Sequence, residues 1–391
     1  MIDPDFIPGS RFAVAFSGGG DSTALLHGLR EHNPLVLIID HALRDSSRAE
    51  AEQARNLADS LGLETRVLTW RHDSPVTGIQ EKARKVRYGL MGEVCREEGI
   101  PYLLTGHTED DQAETLLMRY NRNTDWRGAA GMAKAVHAPI WPELAGVTLA
   151  RPLLDAGRRA LRDYNHRHGL NWTEDPSNRN RNFTRIQARD YLNVNPGVRR
   201  HLLHTAQVLR AGLTGEKKRL RLFFEGHGRV DKAGLVHFDR VPPKQLLVKC
   251  LNAASGQGTA IDCAALSQLH GHMSLRDIPG RTLGGAHILK RRNDITIGRD
   301  PVAAKGRANK AAIPTQPLRA GNRLIWDGRF VITANHDTTV MTRYARQGGS
   351  KAGLSTYDLS QAVCETGGCD IECLVASRLQ KMLMTSAELM V

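Results

Sequence analysis

Short apolar runs alternate with longer amphipathic stretches along the first 110 residues of the chain. Four of the apolar runs predict buried strands: Phe12–Phe16, Leu35–Ile39, Thr65–Trp70 and Tyr102–Thr105. Three stretches between them have the spacing of helices: Ser22–Glu31, Ser47–Leu61 and Gln80–Glu98. This alternation predicts an α/β fold whose Rossmann-like parallel sheet is covered by helices on both faces. Sheets of this kind bind ligands beyond the carboxyl ends of their strands.

The pattern changes after this region. Residues 128–148 are rich in glycine, alanine and proline and predict a connector, whereas residues 198–224 predict a long helix with a basic exposed side. Residues 230–275 also predict helix, and short glycine-punctuated runs from 277 to 332 predict strands or hairpins. Periodicity is weak after residue 341. We therefore predict an N-terminal α/β domain, a mainly helical domain and a small glycine-rich, partly stranded C-terminal region: residues 1–195, 196–275 and 276–391.

The net charge of +13 is unevenly distributed along the 391 residues. Residues 1–150 hold 16 lysines and arginines against 21 aspartates and glutamates, whereas the remainder holds 38 against 20. A basic remainder behind an acidic first part indicates a polyanionic partner that is bound mainly by the later segments. A basic surface that serves only solubility is the alternative.

Composition excludes several classes of protein. The chain is 41% hydrophobic and 24% charged, which is typical of a folded globular protein. It has no apolar run long enough for a membrane span, so no membrane association is expected. Six scattered cysteines do not form a disulfide scaffold and favour a reducing, cytoplasmic location.

A glycine loop lies between the first predicted strand and the first helix. It consists of Ser17, Gly18, Gly19, Gly20, Asp21 and Ser22. Consecutive glycines let the main chain approach an anion closely, and the start of the helix adds unpaired N–H donors. The loop lacks the lysine that ends the P-loop motif of kinases and GTPases. It therefore predicts a phosphate site of another kind, the alternative being a tight turn without a ligand.

Polar residues at two further places are candidates for chemistry. Arg87 lies one helical turn after Arg84 and is the candidate. Arg84 is more simply interpreted as a residue on the solvated face of the helix. His107, Asp111 and Glu114 follow the fourth predicted strand and share one face if the chain is helical there. A histidine with two carboxylates could hold Mg²⁺ or an ammonium group. His41, after the second strand, is either functional or a structural hydrogen-bonding residue.

The loop sequence SGGGDS in this setting resembles the pyrophosphate loop of the N-type ATP pyrophosphatases. The resemblance implies an adenine-nucleotide α-hydrolase-like fold and cleavage of ATP between its α and β phosphates. It also implies that Ser17–Ser22 hold the departing pyrophosphate while Mg²⁺ neutralises charge on the leaving group.

Further motifs are similar to those of the tRNA(Ile)-lysidine synthetases. They include DHALR, ARKVRY, TGHTEDDQAET, GAAGM, RPLL and WTEDPSNRN, in that order between residues 40 and 180. The resemblance implies ATP-dependent ligation of free lysine to C2 of the wobble cytidine, position 34, of the tRNA(Ile) with a CAU anticodon. An adenylated cytidine is the intermediate, and AMP and pyrophosphate are the products.

The same resemblance implies roles for single residues. Asp111 would bind Mg²⁺ or orient lysine, Glu114 would assist it, and Arg87 and His107 would stabilise phosphoryl charge. The tRNA backbone would be contacted by three arginines: Arg151, Arg185 and Arg189. The sequence departs from the family's pattern at residues 122–125, at Arg127 and at Gln187, which puts this loop and one RNA contact in doubt.

Other functions remain open at this stage. A tRNA thiolation enzyme needs reactive cysteines near the ATP domain, yet Cys95 is the only cysteine before Cys250. A non-catalytic nucleotide or RNA-binding module would not need the complete loop and TGHTEDDQAET motifs, and an amidating synthetase would need a glutaminase nucleophile. The C-x₄-C-x₃-C spacing from Cys364 to Cys373 is not a standard zinc pattern. The chain is expected to be a monomer or a homodimer.

Overall fold

The computed structural model describes most of the chain. The described residues are 1–40, 46–70, 79–122, 124–173, 184–258, 260–300, 302, 313–346, 358–365 and 367–391. They divide into two compact units, of which the first comprises residues 1–216 and 385–391 and the second comprises residues 217–384. This division does not follow the three predicted domains, whose boundaries stay a prediction.

The first unit contains a six-stranded sheet. Its strands are β1 (Ala13–Phe16), β2 (Leu35–Asp40), β3 (Thr65–Thr69), β4 (Tyr102–Thr105), β5 (Ala135–His137) and β6 (Thr148–Ala150). They lie in the order β3-β2-β1-β4-β6-β5, and every neighbouring pair is parallel except β5 with β6. The strand order reverses at β1, and α/β sheets bind ligands at this point.

Helices connect the strands of this unit. They are α1 (Gly20–Leu29), α2 (Ser46–Ser60), α3 (Ile79–Glu97), α4 (Glu109–Tyr120), α5 (Trp126–Ala129), α6 (Arg158–Arg167), α7 (Thr184–Val194) and the start of α8 (Pro196–His227). In α3, Tyr88, Met91 and Cys95 recur at helical spacing and pack on Leu37 and Leu103 of the sheet. The predicted α/β architecture is confirmed, with boundaries shifted by one or two residues.

The second unit contains antiparallel sheets. A five-stranded sheet comprises β7 (Gly228–Val230), β8 (Val236–Phe238), β11 (Asp294–Arg299), β10 (Ala286–Arg291) and β9 (Ile278–Leu283). A three-stranded sheet comprises β12 (Gln316–Leu318), β15 (Thr338–Arg346) and β16 (Asp358–Cys364). A second three-stranded sheet comprises β13 (Arg323–Trp326), β14 (Phe330–Ala334) and β17 (Cys369–Cys373). The described residues of this unit also include the end of α8 and the helices α9 (Lys244–Ser255), α10 (Cys263–Leu275) and α11 (Val375–Leu383).

Two predictions about local structure were wrong, and one segment without a prediction is ordered. The predicted connector at 128–148 includes β5 and the first residue of β6, each only three residues long and too short to show a period. The predicted helical stretch 230–275 includes the short strand β8. The weakly periodic tail contains β15–β17 and α11, and Cys364 forms a disulfide with Cys369 at the ends of β16 and β17.

Turns in the second unit meet at one buried aspartate. Asp327, with a positive φ of 48°, lies between β13 and β14 and accepts hydrogen bonds from Arg299 at 3.1 Å and from Arg329 at 2.8 Å. Arg299 also donates to the carbonyl of Gly285 in the β9–β10 turn. A Cβ on Gly256 would lie 1.9 Å from the Asp327 carbonyl oxygen, so only glycine fits there. Among the described residues, no helix has the length and apolarity that a bilayer span requires.

Candidate active site

The glycine loop lies at the carboxyl end of β1, where the strand order reverses. Gly18 has a φ of +74°, which glycine adopts without strain. The Ser22 hydroxyl donates to the carbonyl of Gly19 at 2.8 Å and lies 3.2 Å from the Ser17 hydroxyl, which closes the loop on itself. Helix α1 begins at Gly20, and its cap residue Gly19 has no side chain to occupy the first amides. These amides therefore form a ready site for a phosphate.

Two glycines let other segments approach this loop. A Cβ on Gly20 would lie 3.3 Å from the indole of Trp172. A Cβ on Gly106 would lie 3.1 Å from the backbone N and Cα of Ser22. The β4–α4 loop that contains Gly106 is thus packed directly against the first turn of α1. The candidate catalytic residues that follow Gly106 are brought next to the phosphate loop by this contact.

A capping box starts helix α4 and orients its carboxylates. The Thr108 hydroxyl accepts a hydrogen bond from the Asp111 amide, and the Asp111 carboxylate accepts from the Thr108 amide at 2.8 Å. Asp111 and Glu114 lie three residues apart and therefore share one face of the helix. The Glu114 residue is 1% exposed and Asp111 is 9% exposed, so both carboxylates need partners.

Three arginines supply these partners. Arg158, the first residue of α6, donates to Asp111 at 3.1 Å and lies 3.6 Å from Glu114. Arg185 on α7 donates to Asp111 at 2.9 Å and to Glu114 at 2.7 Å. Arg189, one turn further along α7, donates to Glu114 at 2.7 Å. Arg158 also donates to Asp21 of the phosphate loop at 3.0 Å.

The charges set the protonation states of these carboxylates. Burial alone would raise the pKa of Asp111, but Arg185 and Arg158 outweigh it and hold this pKa below its usual range. Burial raises the pKa of Asp21, and the neighbouring Asp111 and Asp110 raise it further against the effect of Arg158. Asp111 is therefore firmly ionised, whereas Asp21 is the easier of the two to protonate.

His107 and Arg87 are the two basic residues that sequence analysis selected for phosphoryl charge. Burial, followed by the charge of Arg151, lowers the pKa of His107 to about 3, so its imidazole is neutral near pH 7. Its Nδ1 lies 2.8 Å from the Thr105 hydroxyl. Arg87 lies on α3 and is exposed to solvent, and desolvation by surrounding protein atoms lowers its pKa.

Asp111 does not fit a metal ion in this arrangement. One of its oxygens accepts from the Thr108 amide and hydroxyl, and the other accepts from Arg158 and Arg185. Within the described ranges, no group of three or more histidine, cysteine, aspartate or glutamate side chains could hold a metal ion. The groups that contact these oxygens are hydrogen-bond donors. A cation that binds here in place of an arginine would therefore also need N–H donors.

Comparison with known proteins places this site in a family. Residues 3–195 match the model of the PP-loop domain. A tRNA(Ile)-lysidine synthase from Hyphomonas neptunium is 35% identical over 338 residues, which are 82% of this chain and 89% of that protein. The chain belongs to this family. A second tRNA(Ile)-lysidine synthase, from Mesorhizobium japonicum, is 43% identical over 47% of this chain and 42% of its own length.

A solved structure is also similar in part. The U34-tRNA thiolase NcsA from Methanococcus maripaludis has 18% sequence identity and a TM-score of 0.44, covering 52% of this chain and 73% of that one. The similarity is too low to argue about activity. Membership of the tRNA(Ile)-lysidine synthase family is therefore shown by the sequence relatives and the PP-loop domain.

The structure brings together most of the residues that sequence analysis selected. Asp111, Glu114, Arg185 and Arg189 meet in one cluster beside the phosphate loop. Arg151 lies in the interior instead, 5% exposed, with its guanidinium donating to the Ala133 carbonyl at 2.7 Å. This placement gives the predicted tRNA contact of Arg151 no support, because its side chain does not reach the surface.

Several predictions concern other parts of the chain. His41 and residues 174–180 of the WTEDPSNRN motif lie outside the described residues. Arg127, one of the departures from the family's pattern, donates to Glu216 of α8 at 3.0 Å. Asp125 caps α5 by accepting from the Gly128 amide, and Gln187 is exposed on α7. The altered loop is thus well held by its own polar contacts.

Sequence analysis missed Arg158 and Asn165 of α6. Arg158 contacts carboxylates from both α1 and α4, and Asn165 donates to the carbonyl of Gly20 at 2.8 Å while being fully buried. The available signal was weak: Arg158 lies four residues after the RPLL motif, which is an ordinary place for a basic surface residue. Its importance arises from tertiary contacts alone.

Proposed function

We propose that this chain ligates lysine to C2 of the wobble cytidine of the CAU-anticodon tRNA(Ile), converting ATP to AMP and pyrophosphate. The observation that carries the proposal is the contact of one guanidinium, that of Arg158, with both the phosphate loop and the carboxylates of α4. A site for ATP and a site for an amine thus lie side by side. The names of the relatives, tRNA(Ile)-lysidine synthases, support the same activity.

In the first step, the cytidine O2 attacks the α-phosphorus of ATP. The bond to the β-phosphate oxygen breaks, and pyrophosphate leaves into the loop from Ser17 to Ser22. The amides at the start of α1 and the serine hydroxyls stabilise the negative charge that accumulates there. Arg87, a permanent cation, is suited to phosphoryl charge, and the neutral imidazole of His107 offers one donor and one acceptor.

In the second step, the ε-nitrogen of lysine attacks C2 of the adenylated cytidine. The C2–O2 bond breaks, AMP leaves with that oxygen, and the nitrogen loses a proton. The lysine ammonium group would take the place of one arginine at Asp111 or Glu114, donating the hydrogen bonds that the arginine donates in this structure, and would lose its first proton to that carboxylate before the attack. Activation of O2 by adenylation is needed because an unmodified pyrimidine oxygen is a poor leaving group.

We assign tRNA binding to the basic residues of α7. Arg185 and Arg189 pair with the carboxylates here, and we propose that they also contact the tRNA backbone near the wobble nucleotide. Mg²⁺ would accompany the triphosphate and Asp21 rather than Asp111, whose oxygens are filled by N–H and O–H donors. A cytoplasmic location is proposed with these substrates.

A thiolation reaction is less well supported. Such chemistry needs a reactive thiolate close to the nucleotide. Cys95 is the only cysteine before Cys250, and it is fully buried in α3. Burial raises the pKa of the Cys95 thiol to about 12, so this group stays protonated and unreactive near pH 7.

Substitution of Asp111 tests the proposed roles. Asp111→Asn keeps the size of the side chain and part of the capping box, but it removes the charge that receives lysine. We expect tRNA affinity within about twofold of wild type and lysine incorporation reduced by about 10²-fold or more, the range of a lost acid–base group. Asp163→Asn, on the exposed side of α6, is the matched control. Near-normal turnover of Asp111→Asn would reject the assignment.

A further inference from the structure

Arg158 has three nitrogen atoms, and each faces a different carboxylate. Its Nε donates to Asp21 at 3.0 Å, its Nη2 donates to Asp111 at 3.1 Å, and its Nη1 lies 3.6 Å from Glu114. Asp21 belongs to the phosphate loop, and the other two carboxylates belong to α4. The planar fork of a guanidinium makes such a three-way contact, which the single ammonium of a lysine side chain would not reproduce.

The backbone around Arg158 is fixed to the same two elements. The Arg158 amide donates to the Asp110 carboxylate at 2.6 Å, so α4 supplies the cap that Gly157 does not provide for α6. The Glu109 amide donates to the carbonyl of Ala156 at 3.0 Å. About two turns further along α6, Asn165 donates to the carbonyl of Gly20. The guanidinium therefore sits on a helix that is already anchored to α4 and to the phosphate loop.

The local charge balance depends on this one side chain. In the described part of the chain, no other basic side chain contacts Asp21, whereas Asp111 and Glu114 also have arginines from α7. The Arg158 side chain is 19% exposed, so water screens its attraction only in part. The charged and titratable groups around it are Asp21, His107, Asp110, Asp111, Glu114, Arg185 and Arg189.

We infer that Arg158 is a positioning residue that holds the lysine-binding carboxylates in fixed register with the phosphate loop. The inference rests on the proposed function and adds a link between its two half-reactions. Without Arg158, Asp21, Asp111 and Glu114 lose the counter-charge that they share, and the carboxylates of α4 are no longer tied to the phosphate loop. The lysine step would then fail before the step that uses ATP.

The test compares Arg158→Gln and Arg158→Lys with the control Arg159→Gln. Arg159 is the next residue of the same helix, is exposed, and makes the control identical in charge change. Two half-reactions are measured for each protein near neutral pH. The first is tRNA-dependent pyrophosphate release from ATP without lysine, and the second is single-turnover transfer of radiolabelled lysine to tRNA that has been adenylated beforehand by the wild-type enzyme.

For Arg158→Gln, we expect the single-turnover rate of lysine transfer to fall by about tenfold. Pyrophosphate release is expected to change less than lysine transfer. Arg158→Lys restores the charge and part of the rate of lysine transfer, while this rate stays below that of wild type because the fork is lost. Arg159→Gln follows wild type in both half-reactions.

The inference is overturned if Arg158→Gln slows both half-reactions equally, which would indicate a purely structural role. It is also overturned if Arg158→Gln matches Arg159→Gln. Thermal denaturation of each variant establishes folding, and Arg158→Lys serves as the test protein should Arg158→Gln be unfolded. A wild-type protein that transfers no lysine would instead reject the proposed function itself.

Discussion

The close packing of Gly106 on the phosphate loop leads to a quantitative prediction for Gly106→Ala. The new Cβ would lie 3.1 Å from the backbone N and the Cα of Ser22 and 3.3 Å from the carbonyl carbon of Asp21. All three are backbone atoms of the first turn of α1, so no side chain can rotate away. Overpacking of this kind costs about 1–3 kcal/mol. A shift of a few tenths of an ångström relieves part of it, so we expect about 1–2 kcal/mol.

This strain would act on the amides of α1 that we propose to bind phosphate. A loss of about 1.4 kcal/mol in binding would weaken ATP affinity about tenfold. Titration calorimetry with ATP and thermal denaturation measure the two effects separately. Gly197→Ala at the start of α8 is the matched control, because its Cβ meets no atom within 4 Å. Wild-type ATP affinity and stability in Gly106→Ala would refute the close approach of the β4–α4 loop to α1.

Three further predictions concern buried cations and histidine. Arg378→Leu leaves the carbonyls of Asn252 and Gln257 without the guanidinium donors that now lie at 2.8 and 2.7 Å. We expect the free energy of unfolding to fall by about 2–4 kcal/mol in denaturant titration. An unchanged midpoint of denaturation would contradict this expectation. Because the pKa of His107 is lowered, its contribution to stability is complete above pH 6.5 and is lost as the pH falls toward 3. His107→Gln should flatten this decline in the free energy of unfolding. An unaltered pH dependence of unfolding would contradict the lowered pKa. Arg151→Gln should lower stability but leave tRNA affinity and its salt dependence unchanged in filter binding, whereas a shallower salt slope would restore Arg151 as a backbone contact.

The parallel sheet and the phosphate loop could be predicted because local signals agree there. The strands β1, β2 and β4 are nearly continuous apolar runs, since helices cover both faces of a parallel sheet. The loop from Ser17 to Ser22 has its glycines where the main chain needs them. The T-x-x-D spacing at Thr108 and Asp111 also predicts the start of α4 without knowledge of the rest of the fold.

The contacts between elements could not be predicted in the same way. Arg185 and Arg189 have the spacing of any basic helix face, and nothing local indicates that Asp111 and Glu114 are their partners. Burial of Arg151 likewise follows from the packing of the chain around it rather than from its neighbours in sequence. Strands β5 and β6 are defined by pairing with distant residues, and three positions are too few to show a period.

The most direct test of the account is incubation of the purified protein with ATP, radiolabelled lysine and tRNA(Ile) that carries either cytidine or uridine at the wobble position. The account predicts that label enters only the cytidine-containing tRNA, with one AMP and one pyrophosphate formed for each lysine incorporated. Pyrophosphate release that does not require the wobble cytidine, or tRNA that gains sulfur from a sulfur donor and no lysine, would contradict it.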